Sequence, residues 1–183
     1  GIFSKKLFEM QESFDGMSEF RLHGQNHRFV KFLLSRITAW VEQKAGINTN
    51  FISYYQPETG KPFEVEHIWA DKFSRHQDEF GQEHEFKQYR NRIGDLVLLP
   101  QGTNQSYGDL PYEKKHAHYI KENLLVKSLC PLAYENNPNF TNLKNNLDLP
   151  FQSHVEFKKK DIDERQKLYQ AICEQIWNSE FKS

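Results

Sequence analysis

Two short stretches decide the fold of this 183-residue chain, FEVEHI at residues 63–68 and LVLLP at residues 96–100. In the first stretch, apolar residues alternate with glutamates, which is the period of a strand. The second stretch is an apolar run closed by a proline, as expected for a buried strand. Residues 112–129 then have the apolar spacing of an amphipathic helix. We therefore predict the order strand, long loop, strand, helix.

Helical patterns flank this central region on both sides. Apolar residues recur at intervals of three and four over residues 27–44, which predicts a helix with one buried face. Asp161 and Glu164 have the spacing of a capping box in front of a last amphipathic helix. Residues 4–20 predict a short helix and a loop, and the Asn- and Pro-rich residues 129–160 predict mainly loop with brief ordered pieces. The predicted fold class is α+β, with a ββα core wrapped by N- and C-terminal helices.

The composition is that of an ordinary folded protein, with 37% hydrophobic and 27% charged residues. The chain lacks an apolar run of the roughly 20 residues that a bilayer requires and a basic, apolar leader, so we expect a cytoplasmic protein without membrane contact. The net charge of −1 provides no global attraction to DNA, and any contact with DNA must be local. Cys130 and Cys173 form no CxxC pair, which argues against a disulfide framework and a cysteine-built zinc site.

The chain is predicted to be one domain over residues 1–183. It would comprise an N-terminal helical part at residues 1–50, the ββα core at residues 60–130, and a loop with the C-terminal helix at residues 131–183. Because the sequence opens on Gly-Ile rather than on methionine, we expect it to be a fragment of a longer protein.

The central region contains the groups that hydrolysis of a phosphodiester requires, namely a base, a ligand for a divalent cation and positive charge. His67, with an ordinary pKa of about 6.5, is suited to take a proton from water at neutral pH. Glu66 offers the oxygen that a hard cation such as Mg²⁺ prefers, and Asn104, in the turn after the second strand, offers an amide oxygen. Lys114 and Lys115 follow as sources of positive charge. Glu66 and His67 should point to opposite faces of the strand and so take different roles.

Three stretches carry a resemblance to a known family: VEHI at residues 65–68, RIGDLVLL at residues 92–99, and SYGDLPYEKK at residues 106–115. They resemble the ββα-metal motif of HNH (His-Me finger) nucleases and, more closely, the C-terminal nuclease domain of GmrSD-type (DUF262/DUF1524-like) restriction and phage-defence proteins. The resemblance covers about residues 60–130 and, more loosely, the flanking helices.

That resemblance implies a DNA endonuclease that nicks or cuts both strands in restriction or anti-phage defence and leaves 5′-phosphates. The expected cofactor is Mg²⁺, with Mn²⁺ as the alternative. The expected partners are phage or plasmid DNA, including modified or phosphorothioated DNA, and an N-terminal nucleotide-hydrolysing domain in the full-length protein.

Residue by residue, the resemblance makes His67 the catalytic base and makes Glu66 and Asn104 the metal ligands. Asp95 stands where the family has an asparagine that holds the loop and orients the histidine. An aspartate accepts such hydrogen bonds but donates no amide proton, and a carboxylate beside His67 would raise the basicity of the ring. Arg90 and Arg92 are candidate contacts to the DNA backbone, although their alternation with acids is equally typical of an ordinary surface.

Several of these residues also have plainer interpretations. Taken singly, His67 is more simply a structural histidine, and Asn104 could equally cap the following helix. His76 and His84 match no zinc motif with His67 and are predicted to be solvated loop residues. At the level of function, the alternatives are a catalytically decayed module that binds DNA or protein, with Asp95 as its first sign, and a nuclease that acts on RNA.

Overall fold

The computed structural model describes residues 1–2, 17 and 19–181, apart from the side chains of Asn104 and of residues 179–181. The short helix and loop predicted for residues 4–20 therefore lie largely outside the described residues. The helices and strands follow one another as α1 His27–Lys44, α2 Ile52–Tyr55, β1 Phe63–His67, α3 Glu83–Arg90, β2 Leu96–Pro100, α4 Thr103–Tyr107, α5 Tyr112–Tyr119, α6 Leu124–Lys127, α7 Pro138–Asn146 and α8 Lys159–Phe181. Single turns of 3₁₀ helix occur at Phe73–Arg75, Ile93–Asp95 and Pro131–Tyr134.

The two predicted strands pair as an antiparallel ribbon. Its register places His67 opposite Leu96 and Phe63 opposite Pro100. β2 is buried on both faces, because Leu96 and Leu98 pack into one apolar cluster while its alternate residues pack into a second. This two-sided burial is the physical reason why β2 is a continuous apolar run while β1 alternates. The α+β fold class is confirmed.

The helices from both ends of the chain cover one face of the ribbon. The first cluster joins Leu33 and Ile37 of α1 with Tyr169 and Ile172 of α8 around the inner face of β2. The second cluster, on the other face, contains the aromatic side chains that follow β1 and those of α3 and α5. A two-stranded ribbon is only marginally stable in water by itself. The apolar clusters on both of its faces therefore stabilise it.

The predicted long loop between the strands contains a helix, α3. Glu83 and Glu85 lie in its first turn and Lys87 and Arg90 in its last, which suits the helix dipole. Phe86 is its buried residue. With one buried apolar side chain in eight residues, α3 has too little periodicity to be recognised from its sequence.

The helix predicted over residues 112–129 is in fact two helices. α5 ends at Tyr119, and Asn123 begins α6 by accepting a hydrogen bond from the Val126 N–H at 3.1 Å. The Asn123 amide also donates to the Leu98 carbonyl at 2.8 Å, which ties the break to β2. The apolar spacing continues across this break, so periodicity alone could not reveal it.

The region predicted to be mainly loop contains the nine-residue helix α7. Asn137 caps it by accepting from the Phe140 N–H, and Pro138 occupies its first position. Asparagine and proline, which indicate loops, are equally the residues that begin helices. The loop prediction is therefore wrong over Pro138–Asn146.

The last helix is held tightly against the segment that leads into β2. α8 begins at Lys159, two residues before the predicted cap, and Asp161 accepts a hydrogen bond from the Lys158 N–H at 2.7 Å. A Cβ on Gly94 would lie 2.4 Å from the Ile162 carbonyl oxygen, so this close approach requires glycine. The Gly94 N–H donates to Gln166 Oε1 at 2.5 Å.

Among the described residues, none of the helices combines the length and apolar character needed to cross a bilayer.

Candidate active site

A cavity of about 390 Å³ opens beside the last two residues of β1. Glu66, His67, Asp71 and Arg90 line it, together with residues 105–110 of α4 and the loop that follows. Neighbouring strand residues ordinarily point to opposite faces, but Glu66 and His67, the last two residues of β1, both line this one cavity. The fold thus brings together groups from three distant stretches of sequence.

Glu66 is a buried carboxyl group, 8% exposed, at the wall of this cavity. Burial, with a smaller contribution from the negative charge of Glu64, raises its pKa to about 7. The positive charges of Lys115 and Arg90 act in the opposite direction and only partly compensate. An ionised Glu66 would therefore be stabilised by a cation in the cavity.

His67 is held through one of its two ring nitrogens. Its Nε2 lies 2.8 Å from Oδ1 of Asn91, the residue that directly follows α3. Burial and, second, the charge of Arg90 lower the pKa of His67 to about 4, so the ring is neutral at pH 7. The sequence predicts a carboxylate that raises the basicity of this ring; the structure instead has an amide partner and a lowered pKa.

Asp95 is fully buried and fixes the chain just after His67. Its Oδ1 accepts a hydrogen bond from the Trp69 N–H at 3.1 Å, and its carbonyl oxygen accepts one from the Ile68 N–H at 2.7 Å. Its other carboxyl oxygen is buried without a partner among the described atoms, and burial raises the pKa of Asp95 well above its ordinary value. Asp95 therefore matches the loop-holding part of the role inferred from the resemblance, while the hydrogen bond to the ring comes from Asn91.

Sequence reasoning missed Asn91. An asparagine at the end of a short polar helix is common in turns, and α3 itself was not predicted. Its position four residues before Asp95, in the segment that enters β2, is the signal that could have found it.

The two candidate lysines are in different places. Lys115 is 2% exposed, and its Nζ donates to the carbonyl oxygens of His67 at 3.3 Å and of Ile68 at 3.1 Å. Burial lowers the pKa of Lys115 to about 8. Lys114 is exposed and is not among the residues that line the described cavity. Lys115 is thus hydrogen-bonded to the backbone at the end of β1. It adds positive charge near Glu66 without facing solvent.

The two candidate arginines also separate. Arg90 lines the cavity, and its Nε donates to the Trp69 carbonyl at 2.9 Å. Arg92 forms an ion pair with Asp163 of α8 at 3.6 Å and lies over the Tyr89 ring at 4.0 Å from its centroid. Arg90 is therefore the arginine that the fold brings to the site.

Asn104 lies on the short helix α4, where the sequence predicts a turn. Its side chain is outside the described part of the structure, so its pairing with Glu66 stays a prediction. Its chain neighbours Gln105 and Ser106 line the cavity, which places the backbone of α4 beside Glu66.

His76 is buried, contrary to the prediction of a solvated loop residue. Its ring lies between those of Trp69, at 4.2 Å between centroids, and Phe86, at 4.9 Å. Burial lowers its pKa to about 4. The aromatic cluster around α3 accounts for the burial, and that cluster was not visible without α3. His84 is exposed, as predicted, but it lies on α3 and not in a loop.

A second group of histidine and acids lies at the start of α8, outside the cavity. His154, Asp161 and Glu164 form the one group of three such residues, within the described part of the chain, whose ligand atoms all lie within 4.8 Å. His154 Nδ1 is 2.9 Å from Asp161 Oδ1, while the other oxygen of Asp161 accepts from the Lys158 N–H. Glu164 is hydrogen-bonded to Gln152. These groups are engaged in beginning the helix.

Comparison with known proteins gives one family. The model of the family described as GmrSD restriction endonucleases, C-terminal domain, matches residues 11–172. No curated protein matches the chain, and no solved structure matches it. The matched range contains both strands and every residue that lines the cavity. The chain therefore belongs to the family of C-terminal domains of GmrSD restriction endonucleases, which are nucleases that act on DNA.

Proposed function

We propose that this chain is a metal-dependent endonuclease of the HNH type that cuts DNA at the cavity beside β1. Family membership supports a restriction nuclease. The single observation that carries the proposal is the meeting of a carboxyl group, a neutral imidazole and an arginine at one cavity, contributed by Glu66, His67 and Arg90. These are the groups that hydrolysis of a phosphodiester requires.

In this proposal His67 is the general base. Its lowered pKa keeps the imidazole neutral, and hence able to accept a proton, throughout the physiological range. Its Nε2 is engaged by Asn91, which leaves Nδ1 to take the proton of the attacking water. Asp95 and Lys115 hold the backbone on both sides of Ile68, so the ring has a rigid support.

The donor atoms of the cavity suit a hard divalent cation. Its lining offers carboxylate oxygens from Glu66, Asp71 and Asp109 as well as the amide and hydroxyl oxygens of Gln105 and Ser106. Burial raises the pKa of Glu66, and a cation bound in the cavity would act in the opposite direction by stabilising the ionised carboxylate.

We assign Glu66 and Asn104 as the metal ligands, with Mg²⁺ as the expected ion and Mn²⁺ as the alternative. A divalent cation held there would neutralise charge on the scissile phosphate and on the leaving oxygen. Arg90 contributes positive charge within the cavity, and Lys115 contributes it from behind the strand. Lys114 on the exposed face of α5 and Arg92 are weaker candidates for contacts with the DNA backbone. The products carry 5′-phosphates.

At the level of the organism, we propose a cytoplasmic role in restriction or anti-phage defence. The chain would act as one nuclease domain joined to an N-terminal nucleotide-hydrolysing domain. That other domain would select the DNA, including modified or phosphorothioated phage or plasmid DNA.

The test is cleavage of a supercoiled plasmid with Mg²⁺, with Mn²⁺ and with EDTA. We expect nicking or linearisation that needs the ion and that falls by about 100-fold or more in His67→Ala, the usual range for loss of a general base. His84→Ala, which removes an exposed histidine of α3, is the matched control and should cleave at the wild-type rate. Cleavage that survives His67→Ala refutes the assignment of the base.

Two other results would point to the alternatives. If the wild type and His67→Ala both bind DNA and neither cleaves it, a decayed binding module is favoured. Cleavage of single-stranded RNA in preference to the plasmid would favour an RNA nuclease.

A further inference from the structure

The two ring nitrogens of His67 have unequal surroundings. Nε2 lies 2.8 Å from the side-chain oxygen of Asn91. An amide oxygen can accept a hydrogen bond but cannot donate one. In the neutral ring, Nε2 must therefore carry the hydrogen, and the free lone pair is on Nδ1.

Asn91 is itself held in place through its backbone. Its N–H donates to the Lys87 carbonyl of α3 at 3.2 Å, and its carbonyl oxygen accepts from the Leu22 N–H at 2.7 Å. Three residues further on, Gly94 is packed directly on α8. The amide is thus presented to His67 from a segment that is fixed at both ends.

Asp95, the residue expected to orient the ring, is engaged elsewhere. Its Oδ1 accepts from the Trp69 N–H, and its carbonyl oxygen accepts from the Ile68 N–H. The segment from Asn91 to Asp95 therefore makes two separate contacts with the end of β1. One contact fixes the backbone after His67, and the other reaches the ring.

We propose that Asn91 is a positioning residue that holds His67 in the tautomer with hydrogen on Nε2, so that Nδ1 is the nitrogen that accepts the proton of water. The inference rests on the proposed function, in which His67 is the base. An amide suits this task beside a metal-binding carboxylate, because it fixes the ring without adding negative charge near Glu66. The departure of Asp95 from the family pattern then leaves orientation of the ring intact.

The experiment combines nitrogen NMR of the histidine ring with cleavage kinetics. In the wild type, ¹⁵N-labelled at histidine, we expect the His67 signals of a ring protonated at Nε2. Asn91→Leu keeps a similar volume but removes the acceptor. It should lose this tautomer preference and lower kcat by about 10- to 100-fold, the usual effect of removing a group that orients a catalytic histidine. KM should change by less than about threefold, since substrate binding is not the lost interaction.

Two further variants separate orientation from general damage. Asn91→Asp retains an acceptor oxygen and should keep the Nε2–H tautomer, and the negative charge that it adds near Glu66 should lower kcat by less than Asn91→Leu does. Asn142→Leu makes the same substitution at an exposed asparagine of α7 and should match the wild type. If the side chain acted only through packing, Asn91→Leu, which keeps a similar volume, would retain the Nε2–H tautomer preference.

The outcomes distinguish this inference from the proposed function. A wild-type ring protonated on Nδ1, or unchanged kcat and tautomer in folded Asn91→Leu, would overturn the role of Asn91. Full activity of His67→Ala would instead overturn the base itself. If Asn91→Leu does not fold by circular dichroism, the wild-type tautomer still decides the question, because a ring protonated on Nδ1 would overturn the role of Asn91.

Discussion

Two regions of this molecule combine a histidine with carboxylates, and they differ in how those groups are used. At the start of α8, His154 pairs with Asp161 at 2.9 Å, Asp161 also accepts from the Lys158 N–H, and Glu164 pairs with Gln152. In the cavity beside β1, Glu66 accepts no hydrogen bond from the described side chains, and His67 is bonded through one nitrogen.

The difference shows what separates a structural cluster from a candidate active site. A group of acids and histidine whose hydrogen bonds are satisfied internally stabilises the local fold and has little left to offer a ligand. Buried titratable groups that face a cavity with perturbed pKa values and spare lone pairs are the ones suited to chemistry. The ligand atoms of His154, Asp161 and Glu164 lie close enough together to hold a metal ion. Glu66 and His67, however, are the groups whose lone pairs remain available to a ligand.

The largest expected effect comes from exchanging the acid in each region for its amide. Glu66→Gln should lower plasmid cleavage by about 100-fold or more, because it removes the charge of the proposed metal ligand. Asp161→Asn should leave cleavage per folded molecule within about threefold and lower stability by roughly 1–2 kcal/mol, since it weakens the helix start. Cleavage rates, Mn²⁺ titration by calorimetry and thermal melting provide the measurements. A larger loss of Mn²⁺ affinity in Asp161→Asn than in Glu66→Gln would reverse the comparison.

A smaller effect is expected for the arginine at the cavity. Arg90→Ala should weaken DNA binding about tenfold and reduce its dependence on salt, because the proposed phosphate contact is lost. Arg92→Ala should have a weaker effect, since that guanidinium is paired with Asp163. The exposed Lys167→Ala removes the same charge on α8 and serves as the control. Binding curves at two salt concentrations test the ranking, and equal losses in all three variants would mean that the contact is not localised.

The smallest expected effect concerns Asp95, which is fully buried and is bonded to the backbone after His67 rather than to the ring. Burial raises its pKa, so the folded state binds a proton that the unfolded state releases once the pH exceeds about 4. Stability is therefore lost as the pH rises through this range, and Asp95→Asn should remove that loss. We expect the variant to melt a few degrees higher than the wild type at pH 8, with the difference shrinking toward pH 4. A difference that grows toward low pH would show that Asp95 is ionised in the folded protein.

Much of the fold could be predicted because local patterns report burial directly. The alternation of β1 and the apolar run of β2 gave the ribbon, and the spacing in residues 27–44 gave α1. α3 could not be predicted in this way, because Phe86 is its one buried side chain and its stability comes from tertiary packing. The break between α5 and α6 depends on Asn123 reaching β2, a contact between residues far apart in sequence.

The candidate site was predictable in part for the same reason. Glu66 and His67 are recognisable by adjacency at the end of a strand, whereas Asn91 and the burial of Lys115 depend on how α3 and α5 pack against that strand. The roles of Asp95 and Arg92 were inferred from position in a motif, and the contacts these side chains make could only be seen in three dimensions.

The contact at Gly94 sets a limit on how this nuclease can be rearranged by gene fusion or truncation. Residues 93–95 lie against the backbone of α8, and the segment 91–95 that contains them carries both groups that support His67, Asn91 and Asp95. A recombination event that kept Glu66 and His67 but exchanged the C-terminal helix would therefore remove the packing that supports His67. Recombination that preserves this fold should therefore transfer residues 91–95 and α8 together.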